Sequence, residues 1–239
     1  MNLATFLPAT APKVLRRERF ARLRQRLARC TSGVAMVEFA LTAPILLTMG
    51  MVGAETAHFT VTHLRISQVA MQIADNASRV GETDMLVARR VFERDVNDVF
   101  LGGEKYGEPF GLYQHGRVIL SSLQRNAQGG QNIRWQRCRG AKVFTSSYGL
   151  EGAGATGTGF PGMGEASNRI QASLGTAVMF VEIAYDYQPL TPYSMFGNRE
   201  IRYTAAFNIR DERDLTQLYN TTPAGPVARC NVFSANRPT

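Results

Sequence analysis

An α+β fold led by a long transmembrane helix follows from three features of the sequence. An uncharged, mostly apolar run sits directly behind an arginine-rich leader. Helical spacing continues beyond that run to about residue 80 and returns from Asp84 to Phe100. Further on, several short stretches alternate apolar and polar residues with a period of two, as in an antiparallel sheet with one exposed face. Helices first and strands afterwards is the α+β order.

Residues 1–33 form a basic leader. Met1 to Pro12 lacks periodicity and reads as disordered. Lys13, Arg16, Arg17, Arg19, Arg22, Arg24, Arg26 and Arg29 follow, opposed only by Glu18. The formal net charge of the chain is +8, of which +7 lies in this leader and +1 after Gly33. The basic character therefore belongs to the leader, and a nucleic-acid-binding arm is the weaker reading of it. Leu15, Leu23 and Leu27 among the arginines suit an amphipathic helix on an anionic leaflet. From Phe39 to Ala54 sixteen residues carry no charge, and from Val34 there are twenty-one with Glu38 as the one acid. As a helix these reach about 31 Å, the thickness of a hydrocarbon core. A lone span must be helical to satisfy its own backbone, with Pro44 expected to kink it mildly. A core helix of a soluble protein is the competing reading; the flanking charge favours the membrane. Arg22, Arg24, Arg26 and Arg29 hold the N-terminus in the cytoplasm. The expected layout is leader 1–33, transmembrane helix 34–60 and outer domain 61–239, with a Gly-rich loop at 149–164.

An ordinary secretory signal has its small residue after the apolar core. Here Gly33 comes before it, with Glu38-Phe39 five and six residues later. A type IV prepilin is cut at such a glycine on the cytoplasmic side and keeps its apolar helix. Gly33 offers a peptidase an unobstructed, pliable backbone, and cleavage would leave Val34 with a free amine. Glu38, roughly 7 Å along the helix, is costly in lipid and finds a partner in the amine of a neighbouring subunit. The stretch Gly33-Val-Ala-Met-Val-Glu-Phe-Ala-Leu-Thr-Ala-Pro-Ile-Leu-Leu47 resembles the start of TadE-like proteins, the minor pseudopilins of Tad (Flp) pilus systems. The likeness continues through Arg65–Arg79, Tyr185–Leu190 and Tyr203–Asn220. It implies a bacterial inner-membrane protein with a periplasmic, pilin-like α+β domain. It also implies a prepilin peptidase and other Tad/Flp components as partners. The metal domain of related TadG-like proteins is not expected, because Asp75-Asn-Ala-Ser78 does not fit Asp-x-Ser-x-Ser. No metal or other cofactor is expected.

In the outer domain, residues 55–80 extend the first helix as a rod, with Phe59, Val69 and Ile73 on one face and Leu64 near it. Gly81 and Thr83 interrupt the rod. A second helix is expected over Asp84–Phe100, with Phe92, Val96 and Val99 as core, ended by Gly102-Gly103. Arg117–Leu123 and Asn132–Cys138 flank a polar turn and form a hairpin. Trp135 is expected on the sheet. Ala177–Tyr187 is a buried strand and Arg199–Ile209 a half-exposed one. The run 149–164 reads as a mobile loop; its Gly152-x-Gly154-x-x-Gly157 matches a dinucleotide fingerprint without the strand before it and the helix directly after it.

Cys30 lies on the reducing side of this topology. Cys138 and Cys230 lie outside, where disulfides persist, and are expected to pair; two free buried thiols are the alternative. His58, His63 and His115 are scattered and form no metal motif with the cysteines. No nucleophile–base motif is present. The expectation is a non-catalytic assembly component without nucleic-acid or small-molecule partners. The alternative is an uncleaved, envelope-anchored binding protein outside any pilus.

Overall fold

The computed structural model describes residues 22, 24–26, 28, 31–84, 87–192, 194, 196, 197, 199–221 and 224–238. The segment 1–21, with Leu23, Leu27, Arg29 and Cys30, lies outside the described residues. The chain divides into two compact units, Met1–Ala54 and Glu55–Thr239.

Helix α1 (Thr31–Arg79) is 49 residues long and contains Pro44. In the first unit its residues 33–54 are exposed, with Ala43 half-buried. Thr42 and Thr48 donate their hydroxyls to the carbonyls of Glu38 (2.9 Å) and Pro44 (2.7 Å). Both threonine hydroxyls are thus satisfied within the helix itself.

In the second unit, residues 55–79 of α1 are a structural layer. An antiparallel pair follows, β1 (Glu82–Asp84) and β2 (Val87–Arg90). Then come α2 (Glu93–Gly107), a 3-10 turn (Glu108–Phe110) and the short α3 (Leu112–His115). Strands β3 (Gly116–Arg125), β4 (Gln131–Arg139), β5 (Ala177–Asp186) and β6 (Glu200–Asn208) form one sheet in the order β4-β3-β5-β6. Every pairing in it is antiparallel. The turn joining β3 to β4 is set by Asn126, whose Oδ1 accepts the N–H groups of Gln128 and Gly130.

The sheet is covered on both faces. Ile66, Val69 and Ile73 of α1, with Val96, Val99 and Phe100 of α2, form one core with Val118, Leu120, Val181, Ile183 and Trp135. On the other face Leu123, Ile133, Val178 and Phe180 lie under Met163 and Ala172, flanked by Tyr148, Phe160 and Ile170. Two-sided cover explains why β3 and β5 are buried along almost their whole length.

The four strands, the hairpin and the Trp135 packing agree with expectation. Four points differ. The second helix starts at Glu93, because the chain first makes β1 and β2; Glu93 and Asp95 then supply acids to its first turn, and Asp95 accepts the Phe92 N–H at 2.8 Å. Gly102-Gly103 does not end it. A Cβ on Gly103 would stand 2.7 Å from Ile73 Cδ1 and 2.9 Å from the Tyr113 hydroxyl, so this glycine lets α2 approach α1 closely. Leu64 points away from the core, 56% exposed. The Gly-rich segment is folded rather than loose. Its glycines at 149, 152, 154, 157, 162 and 164 take positive φ, which turns the chain so that Phe160 and Met163 reach the sheet.

The segment also covers the β4 edge. Ile133 donates its N–H to Ala153 O and accepts that of Gly152. Farther along, Cys138 donates to Ala228 O and Gly140 to Ser234 O. Cys138 and Cys230 are joined by a disulfide across 92 residues, as expected. Beneath this tail lies Arg117, fully buried. Its guanidinium donates to Gly140 O (2.9 Å), Val232 O (3.0 Å) and Cys230 O (2.6 Å) and stacks 4.2 Å from the Phe233 ring. Burial lowers its pKa to about 10.

Candidate functional site

The sequence places function on α1, so the site is built along that helix. Thr31 begins the helix, so the Gly33–Val34 peptide is helical rather than extended. Gly33, Val34, Glu38 and Phe39 are all exposed. A Cβ on Gly33 would meet nothing among the described residues within 4 Å beyond the local helix backbone. Among the described residues, the Glu38 carboxylate has no hydrogen bond or ion pair. Arg22, Arg24 and Arg26 are exposed and helical. Together these features present a motif whose residues are exposed among the described residues.

A second cluster begins at the first residue after the uncharged run. Glu55 is buried, 4% exposed. Its carboxylate accepts the Tyr187 hydroxyl at 2.8 Å and the Leu190 N–H at 3.1 Å. His58 Nδ1 lies 2.8 Å from the same hydroxyl oxygen. Tyrosine has one hydroxyl proton and gives it to Glu55, so His58 must be the donor through Nδ1. Burial first, then Glu55 beside it, raises the Tyr187 pKa well above its ordinary value and keeps it protonated.

One turn on, Phe59 stacks on Phe196 with centroids 4.7 Å apart and meets His63 and Tyr187 edge-on. His63 also faces Tyr203. Burial pulls the His63 pKa below the ordinary imidazole value. A base with a lower pKa folded than unfolded binds more protons unfolded. Its contribution to stability is therefore complete above about pH 6.5 and is lost as pH falls from there through the folded value. Thermal melts of the full chain in detergent should show a steeper loss below pH 6.5 than those of His63→Gln. Equal slopes would remove His63 as the cause.

At its far end α1 is capped by arginines. Arg213 donates to Ala77 O (3.1 Å) and Ser78 O (2.8 Å), and Arg89 donates to Arg79 O at 2.7 Å. Cations here complement the negative end of the helix dipole. Asp75 pairs with Arg79 (2.7 Å) and Arg210 (2.9 Å).

The three stretches singled out in the sequence, Arg65–Arg79, Tyr185–Leu190 and Tyr203–Asn220, are thus brought together along α1. Tyr187 and Leu190 hold Glu55, Tyr203 packs on His63, and Arg210 and Arg213 take the helix end. Sequence reasoning did not identify Glu55, His58, Tyr187 or Arg213 as site residues. One signal was available: Glu55 is the first charge after sixteen uncharged residues. The geometry is that of a helix mount, with hydrogen bonds fixing residues 55–79 of α1 to the rest of the sheet domain.

Residues 33–75 match the family model described as TadE-like protein. The segment therefore runs from the glycine of the motif to Asp75 in the last turns of α1. No curated protein and no solved structure matches the chain.

Proposed function

We propose that this chain, which carries a TadE-like N-terminal segment, is a membrane-anchored, non-catalytic, minor pseudopilin-like component of Tad (Flp) pilus biogenesis. It spans the bacterial inner membrane once, within residues 34–60, with the basic N-terminus in the cytoplasm and the sheet domain in the periplasm. It assembles through its N-terminal helix. The TadE-like family itself implies a Tad pilus-associated role. One observation carries the finer reading: Gly33…Glu38-Phe39 opens a helix whose next turns are apolar, exposed and long enough to cross a membrane. A prepilin peptidase cleaves after Gly33, and Glu38 pairs with the Val34 amine of a neighbouring pilus subunit.

N-terminal sequencing of protein extracted from membranes tests this, and should read Val34. A start at Met1, or at the residue after it, would instead support the uncleaved, envelope-anchored binding protein. The helical geometry at Gly33 favours that second reading, because a peptidase must first unwind the turn. Gly33→Ala is a clean probe, since among the described residues its methyl group meets nothing within 4 Å beyond the local helix backbone; lost processing then reports the peptidase. Glu38→Ala should leave folding intact and lower pilus output about tenfold, the effect of about 1.4 kcal/mol per contact.

A further inference from the structure

We propose that the outward face of α1 between Ala57 and Met71 is the docking surface for a second copy of this chain, parallel and in register, with Gln68 facing Gln68. The inference rests on the membrane-anchored reading above.

The face is defined by spacing. Ala57, Val61, Leu64, Gln68 and Met71 follow one another at intervals of four, three, four and three residues. That is a coiled-coil seam. The opposite side of the same turns, Phe59, Ile66, Val69 and Ile73, packs into the domain core. The outward residues have no such cover: Val61 is 42%, Leu64 56% and Met71 48% exposed. Apolar residues repeated in this way along one exposed stripe mark a contact surface. The same spacing continues upstream in the sequence through Ala54, Gly50 and Leu47.

Charge and polarity choose the occupant. Residues 56–72 contain no Asp or Glu, and Arg65 is their one Arg or Lys. In a parallel pair, Thr60 of one copy flanks Arg65 of the other, and Ser67 flanks Gln72, so no like charges meet. Gln68 sits on the seam, where an apolar partner would bury its amide unpaired. A second Gln68 supplies both the donor and the acceptor it needs. A single polar seam residue of this kind fixes register and strand number. The stretch is about 21 Å long, too short to associate by itself in water. Anchoring both copies in one membrane supplies the effective concentration and enforces the parallel arrangement.

The test uses the full chain in its own membrane, with Cys30→Ser so that the native disulfide is the sole other thiol pair. Single cysteines are placed at Val61, at Leu64 and, off the seam, at exposed Asn76. After mild oxidation, Val61→Cys and Leu64→Cys should give about tenfold more covalent dimer than Asn76→Cys. Adding Gln68→Glu, which opposes two carboxylates, should cut that yield about tenfold. Equal yields at all three positions would overturn the proposal. So would cross-links only to a polypeptide of different mass, or no dimer while the protein pellets with membranes. Recovery in the soluble fraction would instead remove the anchoring reading and this proposal with it.

Discussion

Replacing Cys138 and Cys230 together by serine should lower the stability of the full chain by about 4–5 kcal/mol. The bond closes a loop of 92 residues, and the chain-entropy relation gives about 4.7 kcal/mol for a loop of that size. The loss is large because of what the tail covers. Cys138 N–H and Gly140 N–H of the β4 edge are satisfied by Ala228 O and Ser234 O, and an uncovered strand edge invites pairing with other chains. Urea denaturation in detergent, with and without reductant, measures it. The wild type under reductant should match the double-serine variant. If reductant left the midpoint unmoved, the bond would contribute nothing.

Arg117→Ala should cost a further 3–5 kcal/mol or so in the oxidised protein. A fully buried guanidinium is tolerable here because three carbonyls and the Phe233 ring surround it. Truncation leaves Gly140 O, Val232 O and Cys230 O without their donor and opens a cavity. Arg117→Lys keeps the charge but cannot reach all three acceptors in one plane, so it should fall between wild type and Ala. The effect is coupled to the disulfide. Once Cys230 is released its carbonyl and that of Val232 are free to leave, so Arg117→Ala should cost less in the double-serine background than in the wild type. Equal costs in both backgrounds would show that the tail does not depend on the bond for its seat over Arg117.

Much of the architecture was legible because it is local. Twenty-one nearly uncharged residues specify a long helix, and alternation through Ile201, Tyr203, Ala205 and Phe207 specifies a strand. What misled was glycine. Gly102-Gly103 reads as a helix stop because glycine is entropically poor in helices. Its reason lies in a tertiary contact, the approach of Ile73 and Tyr113 to Gly103. The glycines of 149–164 read as looseness for the same cause. The signal in and beside that stretch was the apolar set Tyr148, Phe160, Met163 and Ile170, which would have no purpose in a solvated loop. The Glu55 mount was beyond sequence reasoning, because Tyr187 and Leu190 lie more than a hundred residues away and only the folded sheet brings them to it. The Gly33…Glu38-Phe39 motif was plain from its order, leader before glycine before apolar run.

Residues 55–79 of α1 are at once the continuation of the apolar run and one wall of the core. Any attempt to make the sheet domain water-soluble must respect that double membership. A fragment trimmed to begin after Arg79 would strip Ile66, Val69 and Ile73 from the sheet and leave a greasy surface that precipitates. One trimmed to begin at Glu55 keeps the wall and sheds the basic leader with the oily extension, so it is the natural boundary for crystallisation or labelling.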